Sequence, residues 1–195
     1  MLQHLRPAIV MMALFTLLLG LAYPLAMTGA AGLMFPHQAG GSLVRDASGQ
    51  VVGSALIAQG FAKPEYLHPR PSAAGNGYDT TASGGSNLGP LDQKLIDRVK
   101  GDAATIGKDA GGAPIPADAV TTSGSGLDPD VSPANAQMQT ARIAKARGVP
   151  VEQVQTVIDA HTHGALLGFI GEPTVNVLAV NRALDAGLPE AHPKT

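Results

Sequence analysis

The sequence offers few sets of side chains whose types and spacing could support catalysis. His161 and His163 stand two positions apart, which places them on one face of a strand but on different faces of a helix. Imidazole binds zinc, yet a zinc site needs further ligands and no second ligand pair is close in sequence. With Glu172 they define one hypothesis, a hydrolase or metal-dependent enzyme, although Glu172 between Gly171 and Pro173 is typical of an exposed turn.

A glycine-rich segment could bind an anion through its backbone amides. It reads SGGSN and comprises Ser83, Gly84, Gly85, Ser86 and Asn87. A P-loop also needs a lysine followed by a hydroxyl residue, and the segment has neither. The pattern therefore favours a turn over a self-sufficient nucleotide site.

A second small-residue segment, SGSGLDPD, contains Ser123, Asp128 and Asp130. Ser123 follows Thr122, so it does not lie in the G-x-S-x-G turn of a hydrolase nucleophile. Two carboxylates fall short of the roughly six to eight oxygens that calcium takes. We therefore expect turn and cap roles here, and predict neither a catalytic residue nor a metal site.

Gln139 and Arg142 lie three positions apart in a segment with helical signals. Residues at this spacing are neighbours on a helix, so an amide and a guanidinium could together contact a phosphate, a ribose or a partner surface. The alternative is a solvated polar face.

The charges indicate that the start of the chain lies in a different solvent. Of the 13 basic and 15 acidic residues, only Arg6 precedes Arg45, and residues 7–35 are uncharged and strongly apolar. Such a run is stable in hydrocarbon as a helix, because a helix pairs its backbone groups internally. At roughly 1.5 Å per residue, residues 7–25 cover about 28 Å, close to the roughly 30 Å bilayer core. We predict a membrane anchor in which Pro24 kinks or ends the helix.

A cleaved signal peptide is the alternative to an anchor, with small residues 29–31 as a cleavage site. In either case the positive-inside rule places Arg6 and the amino terminus in the cytoplasm and the remainder outside. Small residues recur every four positions in the apolar run, which favours close packing against another helix. They form two tracks, Thr16 with Gly20, and Ala22 with Ala26 and Ala30.

The rest of the chain predicts an α+β domain. Residues 42–45 and 51–59 are β-prone and flank a turn, residues 61–90 read as a long loop, and a helix is expected from Leu91 to Gly101. Residues 120–122 read as a short strand, residues 175–180 as an apolar run, and residues 181–186 as a terminal helix. Ser132-Pro133 and Gly148 delimit the clearest helix, and Pro150 begins another that reaches about His161. The predicted organisation is a tail (1–6), an anchor (7–35) and a soluble domain (36–195).

Composition excludes several classes of function. Cysteine is absent, which excludes disulfides, thiolate metal sites and a cysteine nucleophile. Beyond Arg6 the charge balance is acidic and the basic residues are scattered, so there is no electrostatic footprint for nucleic acid.

Six motifs, in order along nearly the whole chain, resemble the C subunit of the Kdp potassium-transporting ATPase. They are GSALIAQ (53–59), RPSA (70–73), SGGSNLG (83–89), SGSGLDP (123–129), QTARIAKARG (139–148) and GEPTVNVLAVNRALD (171–185). The departures are Ala58, where glycine is expected, and HTHG at 161–164, which matches no motif of the family.

The resemblance implies a non-catalytic subunit of the bacterial inner membrane. Its implied partners are a channel-like potassium-translocating subunit, a P-type ATPase subunit and a small stabilising subunit. The motifs suggest the following partner-contact residues: Arg70, Ser83, Gly84, Gly85, Ser86, Asn87, Ser123, Asp128 and Asn176.

Two roles follow from the resemblance. One is assembly or gating of the pump by an exported domain. The other is a chaperone-like increase of nucleotide affinity through Gln139 and Arg142, with no cofactor of its own and ATP only as a ligand shared with the ATPase subunit. An exported domain cannot meet cytoplasmic ATP, so the side on which the carboxyl terminus lies decides between them.

Overall fold

The computed structural model describes residues 2–188. Its contacts divide the molecule into two compact units, with the boundary between Val52 and Gly53. Helices and strands are mixed, and an apolar helix opens the chain, which confirms the predicted class of an α+β domain with one amino-terminal helix.

The first unit is dominated by an apolar helix, Leu5–Met34, whose 30 residues make it long and apolar enough to cross a membrane. It consists of α1 (Leu5–Leu17), a π-helical turn (Leu18–Ala22) and α2 (Tyr23–Met34). Pro24 does not end the helix. Proline lacks an N–H and its ring crowds the carbonyl four residues back, and the π turn just before it, with Tyr23 N–H donating to Leu18 O, loosens that spacing.

After the long helix come a single turn, α3 (Pro36–Ala39), and two strands, β1 (Leu43–Arg45) and β2 (Val51–Ser54). The two strands pair with each other, which confirms the predicted hairpin, although β2 ends well before residue 59. Its turn is held by Asp46, whose carboxylate accepts the backbone N–H groups of Ser48 and Gln50.

The second unit contains five helices among the described residues. They are α4 (Gln93–Ile106), α5 (Ala117–Val120), α6 (Pro133–Arg147), α7 (Val151–Ala160) and α8 (Val177–Gly187). The expected stop at Gly101 is wrong, since α4 continues to Ile106. The predicted strand at residues 120–122 is also wrong, because Val120 ends α5.

The caps predicted for α6 are confirmed. Ser132 Oγ accepts the backbone N–H of Asn135 at 3.1 Å, and Gly148 ends the helix at φ 67°, a left-handed conformation that glycine adopts without a Cβ penalty. Proline at the first position completes the start signal.

A three-stranded antiparallel sheet lies against these helices, in the order β3 (Asp130–Val131), β5 (Thr174–Asn176), β4 (Thr162–His163). The predicted apolar run 175–180 is divided at Asn176, whose side chain accepts the N–H of Ala179 and caps α8. A core of aliphatic side chains joins α6, α7, α8 and β5. Its members include Leu67, Val131, Ala136, Ile143, Val154, Ile158, Val175, Val180 and Leu184.

Candidate functional site

The polar face of α6 is turned toward the interior of the second unit. Asn135, Gln139 and Arg142 stand at i, i+4 and i+7, and Gln139 is only 5% exposed. The alternative of a solvated polar face is therefore wrong for Gln139.

Gln139 binds the backbone of His68 on both sides of its amide. Its Oε1 accepts the N–H of His68 at 2.8 Å and its Nε2 donates to the carbonyl of His68 at 3.1 Å. The same Nε2 donates to Asn135 Oδ1 at 2.9 Å. The side-chain amide thus pairs with the N–H and the carbonyl of one residue, as a neighbouring strand would. It satisfies backbone groups that would otherwise be costly to bury.

Asn181 of α8 binds the preceding residue in the same way. Its Oδ1 accepts the N–H of Leu67 at 2.7 Å and its Nδ2 donates to the Leu67 carbonyl at 2.9 Å. Two amide side chains from two helices therefore hold one segment, residues 63–70, which begins with a turn at residues 63–66 and which we call the strap. Both amides are nearly inaccessible to solvent.

Arg142 joins the strap to the loop after α4. Its Nη2 donates to Gln139 Oε1 at 2.6 Å, Nε pairs with Asp109 at 2.7 Å, and Nη1 donates to the carbonyls of Pro64 and Tyr66. A guanidinium offers five N–H donors in a fixed fork, and all three of its nitrogens form hydrogen bonds within the domain.

Arg147 is the buried cation at the end of α6, with a side chain 0% exposed. It pairs with Asp185 at 2.7 Å, donates to the carbonyls of Glu65 and Leu188, and lies 5.3 Å from the ring centroid of Tyr66. A desolvated charge needs such a complete set of partners, so Arg147 ties the strap to the end of α8.

Beside Gln139 lies a cleft of about 400 Å³ between the strap and α4. Phe61, His68, Tyr78 and Asn135 contribute to its lining, together with Asp109. Burial lowers the pKa of His68, although the carbonyl of Lys63, which bonds its ring, acts in the opposite direction. Burial raises the pKa of Tyr78, whose hydroxyl donates to the Arg70 carbonyl at 2.7 Å.

The two glycine-rich segments singled out in the sequence lie against each other. The N–H of Gly84 donates to the Ser125 carbonyl at 2.8 Å, and Ser83 Oγ donates to the same oxygen at 3.0 Å. Gly126 has φ +66°, and a Cβ there would lie 2.6 Å from Gly84 O. A Cβ at Gly85 would lie 3.1 Å from the carbonyl oxygen of Gly124, so close backbone approach explains much of the glycine content.

The remaining partner-contact candidates surround this pair of loops or cap α8. Arg70 forms a half-buried ion pair with Asp128 at 2.8 Å. Asn176 donates to Asp130 Oδ1 at 2.9 Å and to the Ala55 carbonyl at 3.1 Å. The hydroxyl of Ser123 lies 3.3 Å from that of Ser125. Ser86 is half-buried, and Asn87 is exposed with φ 51°. Their contact with a partner stays a prediction.

His161 and His163 do not lie on one element. His161 follows the end of α7 with Nδ1 at 2.8 Å from the Val157 carbonyl, and His163 is an exposed residue of β4. Glu172 is exposed, as predicted, and directly follows a bend at Gly171. Within residues 2–188 no three His, Asp or Glu side chains are grouped as a metal site.

The small residues of the long helix are all exposed within this chain. Thr16 and Gly20 are adjacent on one face, since a Cβ on Gly20 would lie 4.0 Å from Thr16 Cγ2. Ala22, Ala26 and Ala30 form the second track. Their packing against another helix stays a prediction.

Sequence reasoning missed Asn135, Asn181 and Arg147. A polar residue recurring at i and i+4 among alanines could have pointed to Asn135 with Gln139. No local signal points to Arg147, whose carbonyl partners lie 82 and 41 positions away.

Comparison with known proteins gives a consistent result. Residues 5–186 match the family model described as KdpC, K+-transporting ATPase, c chain. A protein of Caulobacter sp. named potassium-transporting ATPase KdpC subunit is 68% identical over 97% of this chain and 96% of its own length. Proteins of the same name from Caulobacter vibrioides and Beijerinckia indica are 67% and 57% identical, over 97% and 99% of this chain and 96% and 98% of their own lengths. The chain therefore belongs to the KdpC family, the c-chain subunits of the potassium-transporting ATPase.

Proposed function

We propose that this chain is a non-catalytic accessory subunit that supports assembly and gating of the potassium pump. The observation that carries the proposal is the internal use of Gln139 and Arg142, whose polar atoms bind the strap and Asp109. A side chain whose hydrogen bonds are made within the domain positions that domain, and contacting a nucleotide would require breaking them.

The long helix supports a place in the membrane beside other subunits. Its apolar side chains are exposed within this chain, and its two tracks of small residues offer a surface on which a second helix could pack closely. In this proposal the amino terminus is cytoplasmic, the domain is exported, and the partners are the channel-like, P-type and small stabilising subunits of the same complex.

The proposal is tested by co-expressing the chain with the other pump subunits and extracting the membrane gently in detergent. We expect a hetero-oligomer that contains this chain. A chain that migrates alone, while the other subunits assemble and show potassium-dependent ATPase activity without it, would contradict the proposal.

A second candidate role, raising the ATP affinity of the P-type subunit, is favoured by the cleft beside Gln139. The aromatic rings of Phe61 and Tyr78 in its lining could stack on a base. Cytoplasmic ATP reaches this cleft only if the domain is cytoplasmic. Alkaline phosphatase fused after Thr195 should be active for an exported domain, and a green fluorescent protein fused there should fluoresce only for a cytoplasmic one.

A third candidate is an anchored hydrolase or metal-dependent enzyme built on His161, His163 and Glu172. The separate positions of these residues in the fold do not support it. Replacing both histidines with alanine should leave the potassium-dependent ATPase activity of the assembled pump unchanged.

A further inference from the structure

A short apolar hairpin extends from the β4–β5 ribbon and is not covered by the described residues of the second unit. Leu166 and Ile170 face each other in an antiparallel bridge, and the turn between them consists of residues 167–169. Four large apolar side chains project there, with exposed fractions of 67% for Leu166, 76% for Leu167, 77% for Phe169 and 49% for Ile170. A cluster of this kind on a soluble domain marks an interaction surface, whereas apolar residues exposed singly are ordinary.

The backbone conformation of Leu167 is unfavourable for leucine, so the needs of the turn do not explain this side chain. Leu167 and Gly168 have φ values of +55° and +80°, so both occupy the left-handed region. Glycine or asparagine is the usual residue in that region, and a leucine is strained by its Cβ. The Leu167 side chain strains its own backbone and is 76% exposed, so it adds little to the stability of the domain. A contact outside this chain explains the leucine better.

The hairpin is closed by its own backbone hydrogen bonds. Leu166 N–H donates to Ile170 O at 2.9 Å, Ile170 N–H returns the bond to Leu166 O at 2.9 Å, and Gly168 N–H donates to Ala165 O at 2.9 Å. At its base the same ribbon pairs His163 with Thr174 in the core sheet. A partner could therefore cover the tip without leaving these donors unpaired.

The composition of the hairpin favours a protein occupant over a lipid surface. Residues 160–171 contain no lysine, arginine, aspartate or glutamate, and no tryptophan or tyrosine. Segments that bind anionic membranes use basic residues, and those that settle at the lipid interface are enriched in tryptophan and tyrosine. An uncharged tip of two leucines, an isoleucine and a phenylalanine instead suits a desolvated apolar pocket.

We infer that this hairpin, residues 165–171, is a docking element that inserts into an apolar pocket on another subunit of the potassium-transporting ATPase. The inference rests on the proposed role of the chain as an assembly subunit. It goes beyond that role because it names the surface and the chemistry of its receptor.

The test uses the complete pump with a photoreactive phenylalanine analogue placed at position 167 or 169. Position 91 is the matched control, because Leu91 is 91% exposed and stands outside the hairpin. We expect light-dependent crosslinks to another pump subunit from positions 167 and 169 and none from position 91. Crosslinks only to lipid, only to a second copy of this chain, or to nothing in an intact pump would each overturn the inference and leave the proposed function standing. A wild-type chain that never enters the pump would overturn the proposed function itself.

Substitutions give a second measurement that separates docking from folding. Asparagine suits the left-handed backbone at position 167, so the unfolding temperature of Leu167→Asn should be no lower than that of the wild type. Its affinity for the pump, measured as retention under increasing detergent, should fall about tenfold. Phe169→Asp should weaken retention further, and Leu91→Asp should not change it. Equal retention of Leu167→Asn, Phe169→Asp and wild type would overturn the inference.

Discussion

Replacing Gln139 with alanine gives the sharpest test of the strap. The substitution removes four hydrogen bonds, two with the His68 backbone and one each with Asn135 and Arg142. Four groups lose a partner: the His68 N–H, the His68 carbonyl, the amide of Asn135 and Arg142 Nη2, while the other two nitrogens of Arg142 keep theirs. At about 1 kcal/mol for each group, with some water entering from the cleft, the free energy of unfolding should fall by about 3 kcal/mol.

The matched control is Gln137→Ala, on the exposed face of the same helix. A surface substitution of this kind stays within about 0.5 kcal/mol of wild type. For a chain of this size 1 kcal/mol corresponds to about 3 °C, so calorimetry of the full chain in detergent should show Gln139→Ala unfolding about 9 °C below the control.

Unfolding temperatures that agree within about 1 °C would refute this account of the strap. If the pump containing the Gln139→Ala chain also needed more ATP for half-maximal activity, the residue would act on the nucleotide instead. A stability loss in the isolated chain, with ATP dependence unchanged in the assembled pump, is the result that we expect.

Three further predictions address other features of the domain. Arg147→Met should lower the free energy of unfolding by about 3 kcal/mol in denaturant titration, because the Glu65 and Leu188 carbonyls and Asp185 lose a buried cation, and Arg147→Lys should recover less than half of that loss. Gly126→Ala should lower the free energy of unfolding by more than about 2 kcal/mol, because φ is +66° and the new Cβ would meet Gly84 O at 2.6 Å. Gly124→Ala, with open space around it, should be neutral. Equal unfolding midpoints for the two variants would contradict the packing of the two loops. Burial lowers the pKa of His68, so the unfolded chain binds a proton before the folded chain does as the pH falls below about 6.5. The free energy of unfolding should therefore decrease from pH 7 until the pH passes below the folded-state pKa of His68. In thermal melts recorded across that range, His68→Gln should flatten this pH dependence.

Elements with strong local signals could be predicted from the sequence. Ser132-Pro133 and Gly148 delimit α6 because capping and left-handed termination depend on adjacent residues. The apolar helix was predicted because composition alone determines which solvent it prefers. Gly101 was misread because an exposed glycine within a helix costs only about 1 kcal/mol, which tertiary packing overcomes.

The site could be predicted only in part. Gln139 and Arg142 were identified as a pair, but their burial was not, because the partner of Gln139 is 71 positions away and lies in a loop without periodicity. The sequence predicts that the terminal helix begins at Asn181, but Asn176 caps α8 and Asn181 binds Leu67. The apolar hairpin was missed because a short run of leucine, phenylalanine and isoleucine resembles a core strand.

The strap also constrains the order of events when the protein is made. Leu67 is synthesised 114 residues before its amide partner Asn181, so the strap cannot close until α8 has been made. The apolar helix is completed by Met34 and is available to the insertion machinery long before that moment. If the helix spans the bilayer as we propose, biogenesis has two stages, an early embedding of the helix and a late closure of the domain, and a nascent chain truncated before α8 would be anchored yet open to proteases.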